Sequence, residues 1–160
     1  MPESKEILLN QLLQGKGLKL ATAESCTGGL IADRITNVPG SSEYFLGGIV
    51  AYAYEAKVNL LSVSWDTLQK YGAVSREVVI EMARGARAVL EADLAVSVSG
   101  IAGPGGGLPD KPVGTTWIGL SAPDEDWARK FIWEGDRLQN KALSTEAALQ
   151  LVLDYLEGNL

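Results

Sequence analysis

The stretch Leu18-Lys19-Leu20-Ala21-Thr22-Ala23-Glu24-Ser25-Cys26-Thr27-Gly28-Gly29 constrains the chain more than any other. Leu18–Ala23 is short and nearly all apolar, the pattern of a strand covered on both faces. It runs into a carboxylate, a hydroxyl, a thiol, a second hydroxyl and two glycines. Apolar positions then recur at Leu30, Ile31, Ile35 and Val38, which is helical spacing. A strand that ends in a tight turn and opens a helix fits this order. Amides at a helix start lack intrahelical acceptors and favour negative charge. Ser25 therefore reads as a candidate nucleophile, with the amides of Cys26, Thr27 and Gly28 as oxyanion donors. The competing role is an N-cap, the commonest use of a serine before a helix. Thr27 as the cap would leave Ser25 free.

The remaining chain repeats the alternation. Residues 3–15 read as a helix with Ile7, Leu8, Leu12 and Leu13 on one face, stopped by Gly15 and Gly17. Gly28–Asn37 is the second helix, and Pro39-Gly40-Ser41-Ser42 is a turn. A strand is expected from about Gly47 to Tyr52, then short helices over Glu55–Leu61 and Asp66–Tyr71. Ser75 caps a long amphipathic helix to Ala92, with Val78, Val79, Met82, Ala86, Val89 and Leu90 inward. Leu94–Ser99 is a strand, and Gly100–Lys111 is a glycine- and proline-rich loop. Val113–Ser121 and Trp127–Trp133 form a hairpin across Pro123-Asp124-Glu125-Asp126. Asp136 caps a last helix to about Tyr155, with Leu138, Ala142, Leu149, Val152, Leu153 and Leu156 inside. This order predicts one α/β domain over residues 1–160. Its architecture is a three-layer α/β/α sandwich with a mixed, mostly parallel sheet and an antiparallel C-terminal hairpin. No internal repeat, low-complexity tract or linker interrupts it.

Composition narrows the chemistry. The 160 residues contain no histidine and one cysteine. A Ser-His-Asp triad, a Cys-His pair, a histidine-ligated zinc and an intramolecular disulfide are thereby excluded. Any general base must be Lys, Tyr, Asp, Glu or water. The net charge of −6 disfavours nonspecific binding to nucleic acid or an anionic membrane. No apolar run has the length of a membrane span and the N-terminus lacks a signal-peptide pattern, so the cytoplasm is expected. Four tryptophans in an acidic chain point to an apolar surface and a homo-oligomer.

Other residues carry two readings each. Cys26 at a helix start is a rival nucleophile or a small buried residue. Glu24 is a solvent-facing charge, or it orients a lysine or accepts from a substrate amide. Lys57 is the main base candidate when histidine is missing, which requires that burial keep it partly neutral. The bland alternative is a solvated helix lysine. Tyr52 and Tyr54 carry hydroxyls that could donate to a leaving group, or they are strand-end aromatics. The loop that begins Ser99-Gly100-Ile101-Ala102-Gly103-Pro104 follows a strand's carboxyl end, where α/β sheets bind ligands. It lacks the Gly-Lys-Ser/Thr of a P-loop. Arg137 holds a phosphate or carboxylate, or it pairs with Asp136 or Glu134.

Seven motifs occur in one order: Ala21–Gly29, Pro39–Ser42, Tyr52 with Lys57, Gly72-Ala73-Val74-Ser75, Ser99–Pro104, Lys111-Pro112-Val113-Gly114-Thr115 and Gly135-Asp136-Arg137. Together they closely resemble the CinA C-terminal domain family, whose active members are nicotinamide mononucleotide (NMN) deamidases. The resemblance spans nearly the whole chain. It implies hydrolysis of the NMN carboxamide to nicotinic acid mononucleotide and ammonia, in pyridine nucleotide recycling, with no cofactor and no metal. By position it implies Ser25 as nucleophile, Lys57 as base and Tyr52 as an active-site tyrosine. It also places Ser99 at the Ser/Thr position before Gly-Ile-Ala-Gly-Pro and Arg137 near the substrate, and substrate-binding roles are expected for Glu24, Thr27, Gly28, Ser99, Gly100, Gly103 and Arg137. The chain departs from the family after Tyr52, where Ala53-Tyr54 replaces the usual Ser-Asn. That departure motivates an alternative, a non-catalytic nucleotide-binding or regulatory module of the same fold. The larger CinA proteins carry an N-terminal domain of molybdopterin-binding type. This chain begins too late to contain it and is expected to be a stand-alone unit or an excised domain.

Overall fold

A computed structural model describes residues 3–160. The chain runs α1 (Lys5–Lys16), β1 (Leu20–Glu24), α2 (Leu30–Thr36), β2 (Phe45–Val50), α3 (Tyr54–Leu61), α4 (Trp65–Tyr71), α5 (Arg76–Val89), β3 (Leu94–Gly100), β4 (Thr115–Ser121), β5 (Asp126–Ile132) and α6 (Arg137–Leu156). The five strands form one sheet in the order β2-β1-β3-β4-β5. β1 pairs in parallel with β2 and β3, and β4 and β5 are antiparallel. This is the mixed α/β/α sandwich that the alternation of apolar runs predicts.

The two-residue period of the strands divides the core into two layers. Leu20 of β1, Leu94, Val96 and Val98 of β3 and Ile118 and Leu120 of β4 bury against α1, α2 and α6. Ala21 and Ala23 of β1 and Ala95 of β3 face the other way, toward α3, α4 and α5. The small side chains on that second face let α5 lie close to the sheet. The hydroxyl of Ser97 donates to the Val79 carbonyl of α5 at 2.5 Å. Gly85 brings α3 equally close, because a Cβ there would overlap the Leu61 carbonyl.

Several sequence expectations shift. α2 starts two residues later than its glycines suggest, because Gly28 and Gly29 both take positive φ and build the turn instead. β2 covers Phe45–Val50, not Gly47–Tyr52. α5 ends at Val89, which is 58% exposed and not a core residue. In α1, Leu9 and Leu13 are fully buried while Ile7 turns outward. In α6, Leu138 is 74% exposed and Ala142 is also exposed. The first turns of α6 serve its cap and a loop contact, and the apolar face engages the sheet only further along. Of the tryptophans, Trp65 is exposed, whereas Trp127 and Trp133 pack against Tyr155 and Phe131. Among the described residues no helix is long and apolar enough to cross a membrane.

Candidate active site

The turn after β1 is organised by Glu24, which is fully buried. Its carboxylate accepts from the Thr27 hydroxyl at 2.5 Å and from the amides of Gly29, Ile31 and Ala32 at 3.2, 3.0 and 3.0 Å. Glu24 thus caps α2 from the end of the preceding strand, where charge and helix dipole favour it. Neither Glu24 nor Thr27, both expected at the substrate, turns toward the cavity described below. Gly28 lies in the turn, and its amide donates to the Ser25 carbonyl at 3.1 Å, so it is removed from the expected oxyanion donors. The amides of Cys26 and Thr27 donate to no acceptor among the described residues.

With α2 capped by another residue, Ser25 is not a cap. Its hydroxyl oxygen accepts a hydrogen bond from Lys57 Nζ at 3.0 Å. Lys57 lies in the second turn of α3 and is 1% exposed, so it is not a solvated helix lysine. Its ammonium also donates to the carbonyls of Ala51 at 2.9 Å and Tyr52 at 2.8 Å. Those carbonyls are available because β2 ends at Val50 and the chain turns there into α3. Burial pulls the Lys57 pKa down to about 8, with Cys26 acting in the opposite direction. Two carbonyls can hold two N–H bonds of a neutral amine. Its lone pair then faces the Ser25 hydroxyl, the arrangement of a base and a nucleophile. Cys26 is buried beside them, and desolvation pushes its thiol up to about 11. It is a neutral thiol at ordinary pH, the opposite of an activated cysteine.

Ser25, Cys26, Tyr52, Lys57, Ser99, Gly100 and Arg137 line one cavity of about 190 Å³, walled further by Ala73, Val74 and Ala102. Tyr52 and Arg137 meet across it. The Arg137 guanidinium donates to the Tyr52 hydroxyl at 3.1 Å and to the Gly103 carbonyl at 2.7 Å. It pairs with neither Asp136 nor Glu134. Asp136 is occupied as the N-cap of α6, in a reciprocal capping box with Gln139. Gly103 itself is buried in the loop and reaches the site only through its carbonyl. Tyr54 is not in the lining: its hydroxyl accepts from the Ala73 amide at 3.3 Å, behind the cavity wall. The Ala53-Tyr54 departure therefore leaves the cavity open.

Sequence reasoning missed Asn140, which is buried and ties the loop to α6. It donates to the Ala102 carbonyl and accepts from the Gly135 amide, both at 3.0 Å. It also missed the walls at Ala73 and Val74, although the Gly72–Ser75 motif contains them. Among the described residues no group of histidine, cysteine, aspartate and glutamate could hold a metal ion.

An α/β/α domain with a buried lysine set against a serine at the carboxyl end of a parallel strand pair is the class that fold and site define. A family model for the CinA C-terminal domain matches residues 3–156. The chain belongs to that family. It is 50% identical over 158 residues to a CinA-like protein of Chlorobaculum tepidum and 48% identical over 155 residues to one of Chloroherpeton thalassium. Those alignments cover 96% and 94% of this chain and 37% of each relative, so the chain spans a little over a third of their length. Among solved structures it resembles the competence/damage inducible protein CihA of Agrobacterium tumefaciens, with a TM-score of 0.92, 36% identity and 98% of both chains covered. A CinA superfamily protein of Escherichia coli gives a TM-score of 0.91 at 34% identity, covering 94% of this chain and 88% of that one.

Proposed function

We propose that this domain is an amidohydrolase that converts NMN to nicotinic acid mononucleotide and ammonia, with Ser25 as nucleophile and Lys57 as base. The observation that carries the reading is the 3.0 Å contact between Lys57 Nζ and Ser25 Oγ, with both other donors of the lysine tied to backbone carbonyls. Neutral Lys57 takes the Ser25 proton as Oγ bonds to the carboxamide carbon. The oxyanion faces the amide of Cys26, a residue that lines the cavity. The C–N bond then breaks, and Lys57 returns the proton to the departing nitrogen, which leaves as ammonia. The ester on Ser25 is hydrolysed by water, whose proton Lys57 accepts before giving it back to Ser25. Tyr52 and Arg137 close the mouth of the cavity, and the Tyr52 hydroxyl is the second candidate donor to the leaving group. Ser99 and Gly100 line the same cavity as Lys57.

Ammonia release from NMN, measured side by side for wild type and Ser25→Ala, tests this. Release by wild type and none by a folded Ser25→Ala is the expected pair. Turnover in Ser25→Ala would remove the assignment, and full activity in Cys26→Ala excludes a cysteine route. Binding of NMN without any ammonia over long incubation would point to the non-catalytic module.

A further inference from the structure

The Ser25 cavity shares one wall residue, Val74, with a larger cleft of about 450 Å³. Four cations converge on that cleft: Lys70 at the end of α4, Arg76 at the start of α5, Lys111 in the loop after β3 and Lys130 on β5. Its lining also contains Glu77 and Asp110, so four positive charges stand against two negative ones. The chain as a whole has 20 acidic and 14 basic residues. The ion pairs it forms among the described residues use Lys5, Arg34, Arg84 and Arg129. None of the four cleft cations is paired with a carboxylate. An acidic protein that gathers an excess of positive charge, four cations against two carboxylates, around one concavity presents a positive field there.

Lys111 lines the cleft, and its contacts fall close in sequence to the shared wall residue Val74. Its ammonium donates to the Tyr71 carbonyl at 2.6 Å and lies against Gly72, two residues before Val74. Trp117 and Lys130 are cross-strand partners on β4 and β5, so their side chains leave the sheet on the same face. The cleft thus offers an aromatic surface beside cations that can bind phosphate oxygens. The Ser25 cavity, at about 190 Å³, is smaller than the roughly 300–1,000 Å³ of pockets that enclose a whole drug-sized ligand. A nucleotide with its amide at Ser25 must extend beyond it.

We propose that the cleft is an anion subsite that takes the phosphate end of the nucleotide, with Lys111 and Lys130 as its main contacts. This rests on the function proposed above for Ser25 and Lys57. It places substrate selection for a phosphorylated nucleoside in a part of the molecule that does no bond chemistry.

Calorimetry on the full chain tests it with three probes: inorganic phosphate, NMN and nicotinamide riboside, which lacks the phosphate. The proteins compared are wild type, the double variant Lys111→Gln/Lys130→Gln, and Lys16→Gln, which removes one charge from the exposed end of α1. The double variant is expected to weaken phosphate and NMN at least about tenfold and to leave riboside within about twofold. Lys16→Gln is expected to match wild type with all three. If the double variant does not fold, Lys130→Gln alone, at an exposed strand position, gives the same direction. Equal binding of phosphate and NMN by wild type and variant overturns the subsite, as does absence of phosphate binding by wild type or an equal loss of riboside. The two readings fail separately. Phosphate binding that the variant loses, without ammonia release from NMN by wild type, removes the reaction and keeps the subsite. Ammonia release at unchanged KM by the variant removes the subsite and keeps the reaction.

Discussion

Lys57 Nζ lies 3.0 Å from Ser25 Oγ, across 32 positions of sequence, with no carboxylate in an ion pair with the lysine among the described residues. A buried lysine lacking an acidic partner loses its charge more readily than a solvated one. What holds it is a pair of backbone carbonyls, which accept from the amine in either protonation state.

The pH dependence follows from that burial. Lys57 titrates at about 8 in the folded protein, against an ordinary value of 10.5. Below about 8 the neutral fraction rises roughly tenfold per pH unit, so ammonia release should rise with pH and level off above about 8. Between 8 and 10.5 the unfolded chain binds more protons at this site than the folded one. Stability contributed by this group should therefore increase with pH through that window. Initial rates and denaturant midpoints across pH 6 to 10.5 check both; a rate that stays flat through pH 8 would contradict Lys57 as the base.

Lys57→Arg is expected to abolish turnover, by about a thousandfold or more, because a guanidinium keeps its proton and cannot act as base. The larger head must also fit a site built for an ammonium, so circular dichroism should accompany the assay. Activity near the wild-type level in a folded Lys57→Arg would separate the lysine from the chemistry.

Glu24→Ala should lower stability by roughly 2–3 kcal/mol, since it removes a buried acceptor and leaves the amides of Gly29, Ile31 and Ala32, at the start of α2, without their partner. Denaturant unfolding measures this directly. A substrate-binding glutamate would behave otherwise, raising KM with the unfolding midpoint unchanged.

Gly85→Ala is expected to destabilise the domain by roughly 1–3 kcal/mol, because the added methyl meets the Leu61 carbonyl at the contact of α5 with α3. α3 carries Lys57, so the displacement should also reduce ammonia release under conditions where the protein is still folded. Thermal unfolding and rate measured on the same sample distinguish the two effects. An unchanged midpoint would mean that the helices separate at no cost.

Catalytic thiol chemistry has a separate check. With its thiol pushed up to about 11, Cys26 should react with a disulfide reagent far more slowly at pH 7.5 than free cysteine does. Fast labelling of the folded protein would show an activated thiolate.

Sequence by itself determined the layer architecture and most helix starts. Apolar runs of strand length alternate with helical periods, and local caps such as Ser75 and Asp136 announce α5 and α6 within three residues of themselves. The absence of histidine likewise narrowed the base to a short list without any structure. Tertiary structure decided what those residues face. Glu24 became the cap of α2 because the strand end and the helix start fold onto each other around Gly28 and Gly29. Leu138 turned outward because the first turn of α6 lies beyond the packed face. Lys57 reached Ser25 because parallel pairing of β1 with β2 and the close seat of α3 at Gly85 bring two distant segments to one sheet end. Periodicity and capping are local and can be read from neighbours in the chain. Burial, and with it the charge state of a lysine, belongs to contacts that exist only once the layers have packed.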